Sequence, residues 1–166
     1  MKTNWKISVE ICKPLKAMCT YAFSETPEKD AWKFLQSWAQ PKGLLKKEIG
    51  TRIFGRNTYP TDNPEPHGYE LYITVNKQQK TDENVMIGEI PGGLYAILES
   101  TSLMEIANAW SFLWKWLEES EYEFTGWIKN EHGWVDGFEE HLNPFDEKAP
   151  NEWLFNLMIP VKKKNS

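Results

Sequence analysis

Two segments of this chain repeat each other. The pattern Ala-Trp-x-Phe-Leu-x-x-Trp occupies residues 31–38 and returns at residues 109–116, 78 positions later. Further along, Phe54 corresponds to Phe138 at an offset of 84. An offset that grows slowly and never reverses is typical of two copies of one unit that differ by small loop insertions.

The downstream landmarks extend this repeat. Each Phe is followed six residues later by a proline, Pro60 or Pro144, and then by the segments Ile73-Thr74-Val75 or Ile159-Pro160-Val161. We therefore expect a single domain over residues 1–166 with repeats at about 1–80 and 81–166. A ligand would lie between the two copies.

Hydrophobic periodicity defines the same unit twice. Thr26-Pro27-Glu28 has the composition of a helix start, and Ser102-x-x-Glu105 has the pattern of a capping box. Alternating strand patterns or strand-forming residues occur at residues 7–11, 51–57, 69–75, 85–99, 138–142 and 153–161, and a Pro-, Asp- and Asn-rich loop runs from Pro60 to His67. The prediction is an α+β fold: tandem β-α-β-β modules that form an antiparallel sheet with the helices on one face.

Charge and composition limit the function. The net charge of −5 disfavours direct nucleic-acid binding, and the two copies are expected to leave no room for a DNA-reading module. The N-terminus lacks the pattern of a signal peptide and no apolar run is long enough for a membrane span, so a cytoplasmic location without membrane contact is expected. Cys12, Cys19 and the three histidines do not have metal-ligand spacing, and no cofactor motif is present.

Strand alternation predicts which residues face away from the helices. If Phe138 and Leu142 lie on the helix side, the side chains between them project to the opposite face. The same reasoning applied to the 69–75 and 153–161 strands gives a set of six residues for that face. This set is Glu70, Tyr72, Glu139, His141, Asn156 and Met158.

The nine tryptophans are divided by their position in the sequence. Those at helical spacing, together with Trp153, are expected to be mostly core. Trp127 and Trp134 lie in a Gly-rich loop and are candidates for the mouth of a ligand site. Aromatic faces next to carboxylates suit a flat, apolar, cationic molecule.

An ordered set of short motifs resembles a known family. The motifs are Arg52-Ile53-Phe54-Gly55 with Asn57, His67 to Val75, Ile90 to Ala96, Phe138-Glu139 with Leu142, and Ile159-Pro160-Val161. Together they resemble the GyrI-like small-molecule-binding domain, the effector-binding domain of bacterial multidrug-responsive transcription activators. The integron-associated or YdeE-like stand-alone branch is the most similar.

The resemblance implies tandem β-α-β-β modules with a groove that binds amphipathic, often cationic aromatic compounds. It places Glu139 as the acidic residue of that groove. The family's following tyrosine is His141 here, and Asn156 and Met158 stand where many members have Glu and Tyr.

Three functions remain open from the sequence. The first is a stand-alone binder that acts as a sensor or sequestering antidote, with any regulation passing through a protein partner. The second is a hydrolase of electrophilic compounds, such as the strained cyclopropanes that some family members hydrolyse, with Glu139 as base and Tyr72 or His141 assisting. The third is an inhibitory protein-interaction module. No catalytic residue is assigned, and the oligomeric state is not determined.

Overall fold

The computed structural model describes residues 4–59 and 67–165. Within these residues nine strands form one antiparallel sheet, and two further strands form a separate hairpin. The strands of the sheet are β1 (Lys6–Cys12), β2 (Leu15–Ser24), β3 (Ile53–Thr58), β4 (His67–Thr74), β5 (Met86–Ile90), β6 (Gly93–Ser102), β7 (Tyr122–Phe124), β10 (Phe138–His141) and β11 (Leu154–Lys163). The hairpin consists of β8 (Ile128–Asn130) and β9 (Gly133–Val135).

The strand order brings the two halves of the chain together at the middle of the sheet. The order is β1-β6-β11-β10-β3-β4-β2-β5, with β7 added to the end of β11. The central pair is β3 and β10, in which Gly55 lies opposite Glu139 and Ile53 lies opposite His141. The α+β antiparallel fold predicted from the sequence is confirmed. The origin of the halves by duplication, and their boundary near residue 80, stay predictions.

The two helices cover one face of the sheet. Helix α1 (Pro27–Ala39) starts at Pro27, as the sequence predicts, and it packs Ala31, Leu35 and Trp38 against β2 and β4. Helix α2 (Ile106–Glu119) packs Ala109, Leu113 and Leu117 against β6 and β11. We call this side of the sheet the helix face.

The opposite face is also a core. Phe54 of β3 and Phe138 of β10 pack edge to face, with ring centroids 6.0 Å apart, and Tyr72 packs on Phe138. Tyr95 and Met158 are buried in the same cluster. We call this side the helix-free face. Because both faces are buried near the middle of the sheet, apolar residues alone do not indicate which face a strand turns to the helices.

Several elements were not predicted. β2 mixes small residues such as Ala17, Cys19 and Ala22 on both faces, so it shows no clear alternation. β7 and the β8–β9 hairpin occupy a segment expected to be largely loop. α2 begins at Ile106, and the Ser102 hydroxyl accepts the Glu105 N–H in the preceding turn instead of capping the helix itself. Apart from His67, which starts β4, the predicted loop from Pro60 to His67 lies outside the described residues.

Candidate functional site

A cavity of about 1290 Å³ opens on the helix face between α1 and α2. Glu28, Lys29 and Trp32 of α1 line one side, and Trp110 and Trp114 of α2 line the other. Strands β3, β4, β10 and β11 contribute surface between the helices, and the segment 143–153 also lines the space. We call this space the inter-helical cavity. It is larger than the usual volume of small-molecule sites, about 300–1,000 Å³, so a drug-sized ligand would fit within it.

Glu139 lies on the β10 surface of the cavity, and two aromatic side chains hold its carboxylate. The Tyr69 hydroxyl donates a hydrogen bond to Oε1 at 3.1 Å, and the Trp110 indole N–H donates to Oε2 at 3.1 Å. Tyr69 comes from β4 and Trp110 from α2, so each oxygen is fixed by a different element. Within the described part of the chain, Glu139 forms no ion pair with a basic side chain.

Gly55 makes the contact between Tyr69 and Glu139 possible. β3 lies between β4 and β10, so the Tyr69 side chain must cross it to reach Glu139. A Cβ at position 55 would overlap the Tyr69 hydroxyl and lie 2.5 Å from the ring carbon Cζ. The absence of a side chain at this position is therefore a requirement of the site.

Burial controls the ionisation of the carboxyl and imidazole groups in the cavity. Burial raises the pKa of Glu139, and the hydrogen bonds from Trp110 and Tyr69 oppose that rise. Burial lowers the pKa of His141 to about 4, so the imidazole is neutral at pH 7. Its Nε2 lies 3.5 Å from the Tyr69 hydroxyl. On β10 the two acidic groups therefore differ: Glu140 is paired with Arg52 at 2.7 Å, whereas Glu139 faces the cavity with only the neutral donors Tyr69 and Trp110.

The other cavity walls are aromatic and acidic. Aromatic rings come from both helices and from the strands: Trp32, Tyr59, Tyr69, Trp110, Trp114, Trp153 and Phe155. The lining holds six acidic side chains, Glu25, Glu28, Asp136, Glu139, Asp146 and Glu147, against three basic ones, Lys29, Arg56 and Lys148. Aromatic faces and carboxylates both favour positive charge, so the lining suits a cation.

The prediction that Glu139 and His141 face away from the helices was wrong. Glu139 lies opposite Gly55 and Leu157 in the sheet, and Leu157 packs in the core beneath α2. Cross-strand neighbours share a face, so Glu139 and His141 point to the helix face and line the cavity. Phe138, assigned to the helix side, is instead buried on the helix-free face.

The other strand residues of the predicted set lie on the helix-free face, as their alternation indicated, but they do not line the cavity. Glu70 is buried there and accepts hydrogen bonds from Tyr72 at 2.6 Å and Arg56 at 2.8 Å. Met158 is part of the same core, and Asn156 accepts the Ser100 N–H across a bulge in β11. The sheet therefore separates Glu70, Tyr72, Asn156 and Met158 from Glu139 and His141.

A buried polar cluster surrounds Glu70. His132 Nδ1 lies 2.6 Å from one Glu70 oxygen, and the Asn130 amide donates to the same oxygen at 2.8 Å. Burial by itself would raise the pKa of Glu70, but the hydrogen bond from His132 and the charge of Arg56 outweigh it and lower the pKa to about 2. The His132 ring also stacks on the Tyr21 ring, with the ring centroids 3.8 Å apart. These contacts fasten the β8–β9 hairpin to the sheet.

The division of the tryptophans between cavity and core was wrong for Trp127, Trp134 and Trp153, and the helical Trp32 and Trp110, expected to be mostly core, also line the cavity. Trp127 and Trp134 are 48% and 43% exposed around the hairpin, and neither lines the inter-helical cavity. Trp153, expected in the core, does line it. In the hairpin Ile128 and Trp134 are exposed while Val135 is buried, and Asn130 and His132 contact Glu70. The local sequence does not reveal that long-range contact.

The described part of the chain holds no candidate for a metal site or for a membrane-spanning helix. Among residues 4–59 and 67–165, no group of three or more His, Cys, Asp or Glu side chains is placed to hold a metal ion. In the same residues, no helix has the length and apolar character that crossing a bilayer requires.

The fold and the cavity define a class: an α+β domain with an aromatic, acidic cavity between two helices. The model of the GyrI-like small molecule binding domain matches residues 15–162, and the chain belongs to this family. Small-molecule binding is the property that this family membership supports. No protein with a curated description matches the chain.

Solved structures share the fold at low sequence identity. The C-terminal domain of EcmrR is 14% identical with a TM-score of 0.69, and the match covers 98% of this chain and 100% of that one. An integron cassette protein from the mobile metagenome of Vibrio cholerae is 9% identical over 95% of this chain and 97% of that one, with a TM-score of 0.57. A hydrolase from Listeria innocua is 10% identical over 95% of this chain and 92% of that one, with a TM-score of 0.64.

EcmrR in its DNA complex is 14% identical over 96% of this chain, with a TM-score of 0.72, and the matched region spans 58% of the EcmrR chain.

Proposed function

We propose that the inter-helical cavity binds flat, amphipathic organic cations and that Glu139 supplies the counter-charge. The observation that carries this proposal is the state of the Glu139 carboxylate. It is partly buried, fixed by Tyr69 and Trp110, and without a basic partner among the described residues. Neutral donors satisfy part of its hydrogen-bonding capacity, but they leave the negative charge unpaired.

The basic residues of the lining do not neutralise Glu139. Arg56 donates hydrogen bonds to Glu70 at 2.8 Å and to the Tyr72 hydroxyl at 2.9 Å, so its charge is paired with Glu70 on the helix-free face. Lys29 and Lys148 form no ion pair with Glu139 within the described residues. A cationic ligand would therefore supply the missing positive charge, and the tryptophans of the cavity would stack on its rings.

Binding of this kind fits a sensor or a sequestering antidote. Both roles require recognition of a class of compounds by shape and charge, which a large aromatic cavity provides. The two roles differ in the event after binding: a sensor passes the signal to a partner, and an antidote lowers the free concentration of the compound.

Two ligands with a shared ring system test the proposal. Ethidium is a flat aromatic cation, and phenanthridine has its tricyclic ring system without the fixed charge and without the amino, phenyl and ethyl groups. We expect calorimetric titration at pH 8 to show tighter binding of ethidium. Glu139→Gln should weaken ethidium binding by about 5- to 150-fold, which corresponds to the ~1–3 kcal/mol of a charge-assisted contact.

The control variant is Glu121→Gln. Glu121 is an exposed carboxylate near Lys163, so this variant changes the net charge equally but away from the cavity. It should leave ethidium binding within about twofold. Equal losses in the two variants, or equal affinity for ethidium and phenanthridine, would refute the proposal.

A second candidate function is hydrolysis of an electrophilic small molecule. The observation that favours it is the hydrogen bond from Tyr69 to Glu139, because a partly desolvated carboxylate next to a hydroxyl group can act as a general base with an adjacent acid. Glu139 would take a proton from water as the water attacks the electrophilic carbon, and Tyr69 would protonate the leaving group. His141 lies beside Tyr69, whereas Tyr72, the other residue considered from the sequence, lies on the opposite face of the sheet.

Turnover separates the two functions. Incubation with a panel of epoxides and cyclopropane-bearing compounds should give product only if the cavity is catalytic. Loss of that product in Glu139→Gln, with retained binding of the unreacted compound, would support the enzyme over the receptor.

A further inference from the structure

The His141 imidazole is a hydrogen-bonding group of the cavity that the counter-charge role of Glu139 does not use. His141 lies two residues after Glu139 on β10, so its side chain points to the same face of the sheet. Its ring packs edge to face on the ring of Phe155 in β11, with the ring centroids 4.9 Å apart. All three residues line the inter-helical cavity, so the imidazole lies in the cavity wall beside the carboxylate.

In either tautomer of His141, one ring nitrogen is an acceptor without a donor. Among the described residues, its one hydrogen-bond contact joins Nε2 to the Tyr69 hydroxyl at 3.5 Å. That hydroxyl has a single proton, which it donates to Oε1 of Glu139 at 3.1 Å, so it can meet His141 only as an acceptor. If Nε2 carries the imidazole proton, Nδ1 is left unpaired. If Nδ1 carries it, Nε2 is the acceptor without a donor.

A ligand that fills the cavity must replace the water available to this acceptor. Burial lowers the pKa of His141 to about 4, so at neutral pH the imidazole is uncharged and does not repel a cation. Displacing water from an acceptor loses affinity when the ligand offers no donor in its place. A ligand with an N–H group directed at His141 avoids that loss.

The unpaired acceptor and the counter-charge are close enough to contact one group of a ligand. Oε1 of Glu139 and Nε2 of His141 both contact the Tyr69 hydroxyl oxygen, so they are no farther apart than the sum of the 3.1 and 3.5 Å distances. Each Glu139 oxygen accepts one donor, from Tyr69 or Trp110, and an ionised carboxylate has further lone pairs to offer. A positive nitrogen that carries hydrogen can donate here, whereas an alkylated one can satisfy only the charge.

We propose that His141 is a specificity-determining residue, which selects aromatic cations with an N–H donor at the charged nitrogen over cations alkylated at that nitrogen. This inference rests on the proposed function, because Glu139 supplies the counter-charge for both kinds of cation. It names a narrower ligand class: flat aromatic compounds whose charge lies on a protonated ring nitrogen, amidine or amine, in preference to quaternary ammonium and N-alkylated ring compounds.

Two acridine cations that differ at one position test this inference. At pH 8, 9-aminoacridine is protonated on its ring nitrogen and carries an N–H there. The cation 9-amino-10-methylacridinium has the same ring system, amino group and charge, with a methyl group on that nitrogen. We expect wild-type protein to bind the N–H cation about 5- to 30-fold more tightly in calorimetric titrations at pH 8 and fixed ionic strength.

Variants of His141 and Glu139 should act differently on this affinity ratio. His141→Phe removes the acceptor but keeps a ring against Phe155, and it should reduce the ratio to less than about twofold. His141→Leu is a second acceptor-free variant and should do the same. Glu139→Gln should weaken both cations and leave a ratio in favour of the N–H cation, and Glu121→Gln should change neither affinity. Thermal unfolding of each variant verifies that it is folded.

Equal affinity of wild-type protein for the two acridines would overturn the role of His141 and leave the proposed function standing. A ratio that persists in both His141 variants would also overturn it, because the methyl group would then be excluded by its size alone. A ratio that disappears in Glu139→Gln but persists in His141→Phe would assign the N–H contact to Glu139 and contradict the inference. Failure of both acridines to bind wild-type protein would instead count against the proposed function.

Discussion

Gly55→Ala should destabilise the protein by about 3–5 kcal/mol and disrupt the site. The added methyl group would overlap the Tyr69 hydroxyl and approach the ring carbons Cζ and Cε2 to 2.5 and 2.8 Å. Tyr69 is only 3% exposed, so its ring has little room to move aside. Overpacking a core in this way costs about 1–3 kcal/mol, and losing the hydrogen bond from Tyr69 to the charged Glu139 adds about 1.5–3 kcal/mol.

Urea unfolding measures this change as a lower midpoint. Gly50→Ala is a suitable control, because Gly50 has a left-handed φ of 76° but nothing within 4 Å of an added Cβ. It should cost only about 1 kcal/mol, from backbone strain alone. A double-mutant cycle with Tyr69→Ala identifies the cause, since removing the ring should make Gly55→Ala nearly neutral.

The role assigned to Gly55 would be disproved if Gly55→Ala changed the free energy of unfolding by less than about 1 kcal/mol while ethidium still bound normally. The same conclusion would hold if the cost of Gly55→Ala were unchanged in the Tyr69→Ala background. In either case the crossing of Tyr69 over β3 would not be the reason for a glycine at this position.

Three further outcomes are expected. The pKa of His141 is lowered to about 4, so between pH 6.5 and 4 the unfolded chain binds a proton that the folded protein does not. The free energy of unfolding should therefore fall by about 1–2 kcal/mol as pH drops through this window. In His141→Gln the urea midpoint should depend less on pH over the same window than it does in wild type. Glu70→Gln should lower the free energy of unfolding by about 3–5 kcal/mol at pH 7, because Arg56 would remain buried without its charged partner. The wild-type contribution of Glu70 is lost as pH falls from about 4.5 to 2, so the stabilities of the two proteins should converge in acid. Ser100→Gly should stabilise thermal unfolding by about 0.5–1 kcal/mol, because Ser100 has a φ of 62°; a loss of stability would show that the Ser100 side chain matters.

The sequence predicted the fold well because two strong signals agree. The repeated helix pattern and the alternating strands at 69–75 and 153–161 both appear where the structure has α1, α2, β4 and β11. These are local periodicities. The alternation is visible in β4 although both of its faces are buried, because its helix-free face carries the polar side chains of Glu70 and Tyr72. β2 was missed because both of its faces are buried, so local alternation carries little information there.

The site was predicted less well because its faces are set by long-range packing. The assumption that apolar residues mark the helix side failed at β10, where Phe138 packs with Phe54 on the helix-free face. The adjacent apolar residues Ile53 and Phe54 are the sequence signal that both faces are buried at this point. That signal shows that apolar side chains alone could not assign the faces of β10.

Two important site residues had no individual sequence signal. Trp110 lies in a helical apolar pattern and was interpreted as core, yet it contacts Glu139 at the edge of the helix. Tyr69 was placed correctly on the helix side, but its reach across β3 depends on the register that sets Gly55 opposite Glu139. Pairing register between distant strands is not available from one sequence.

A crystal structure of the protein with ethidium bound would show whether the inter-helical cavity is the ligand site. We expect the phenanthridinium ring to lie between Trp110 and the α1 wall, with its positive nitrogen facing the Glu139 carboxylate and Tyr69 still hydrogen-bonded to that carboxylate. Ethidium stacked on the exposed Trp127 and Trp134 of the hairpin, with the inter-helical cavity empty, would show that the cavity is not the cation site.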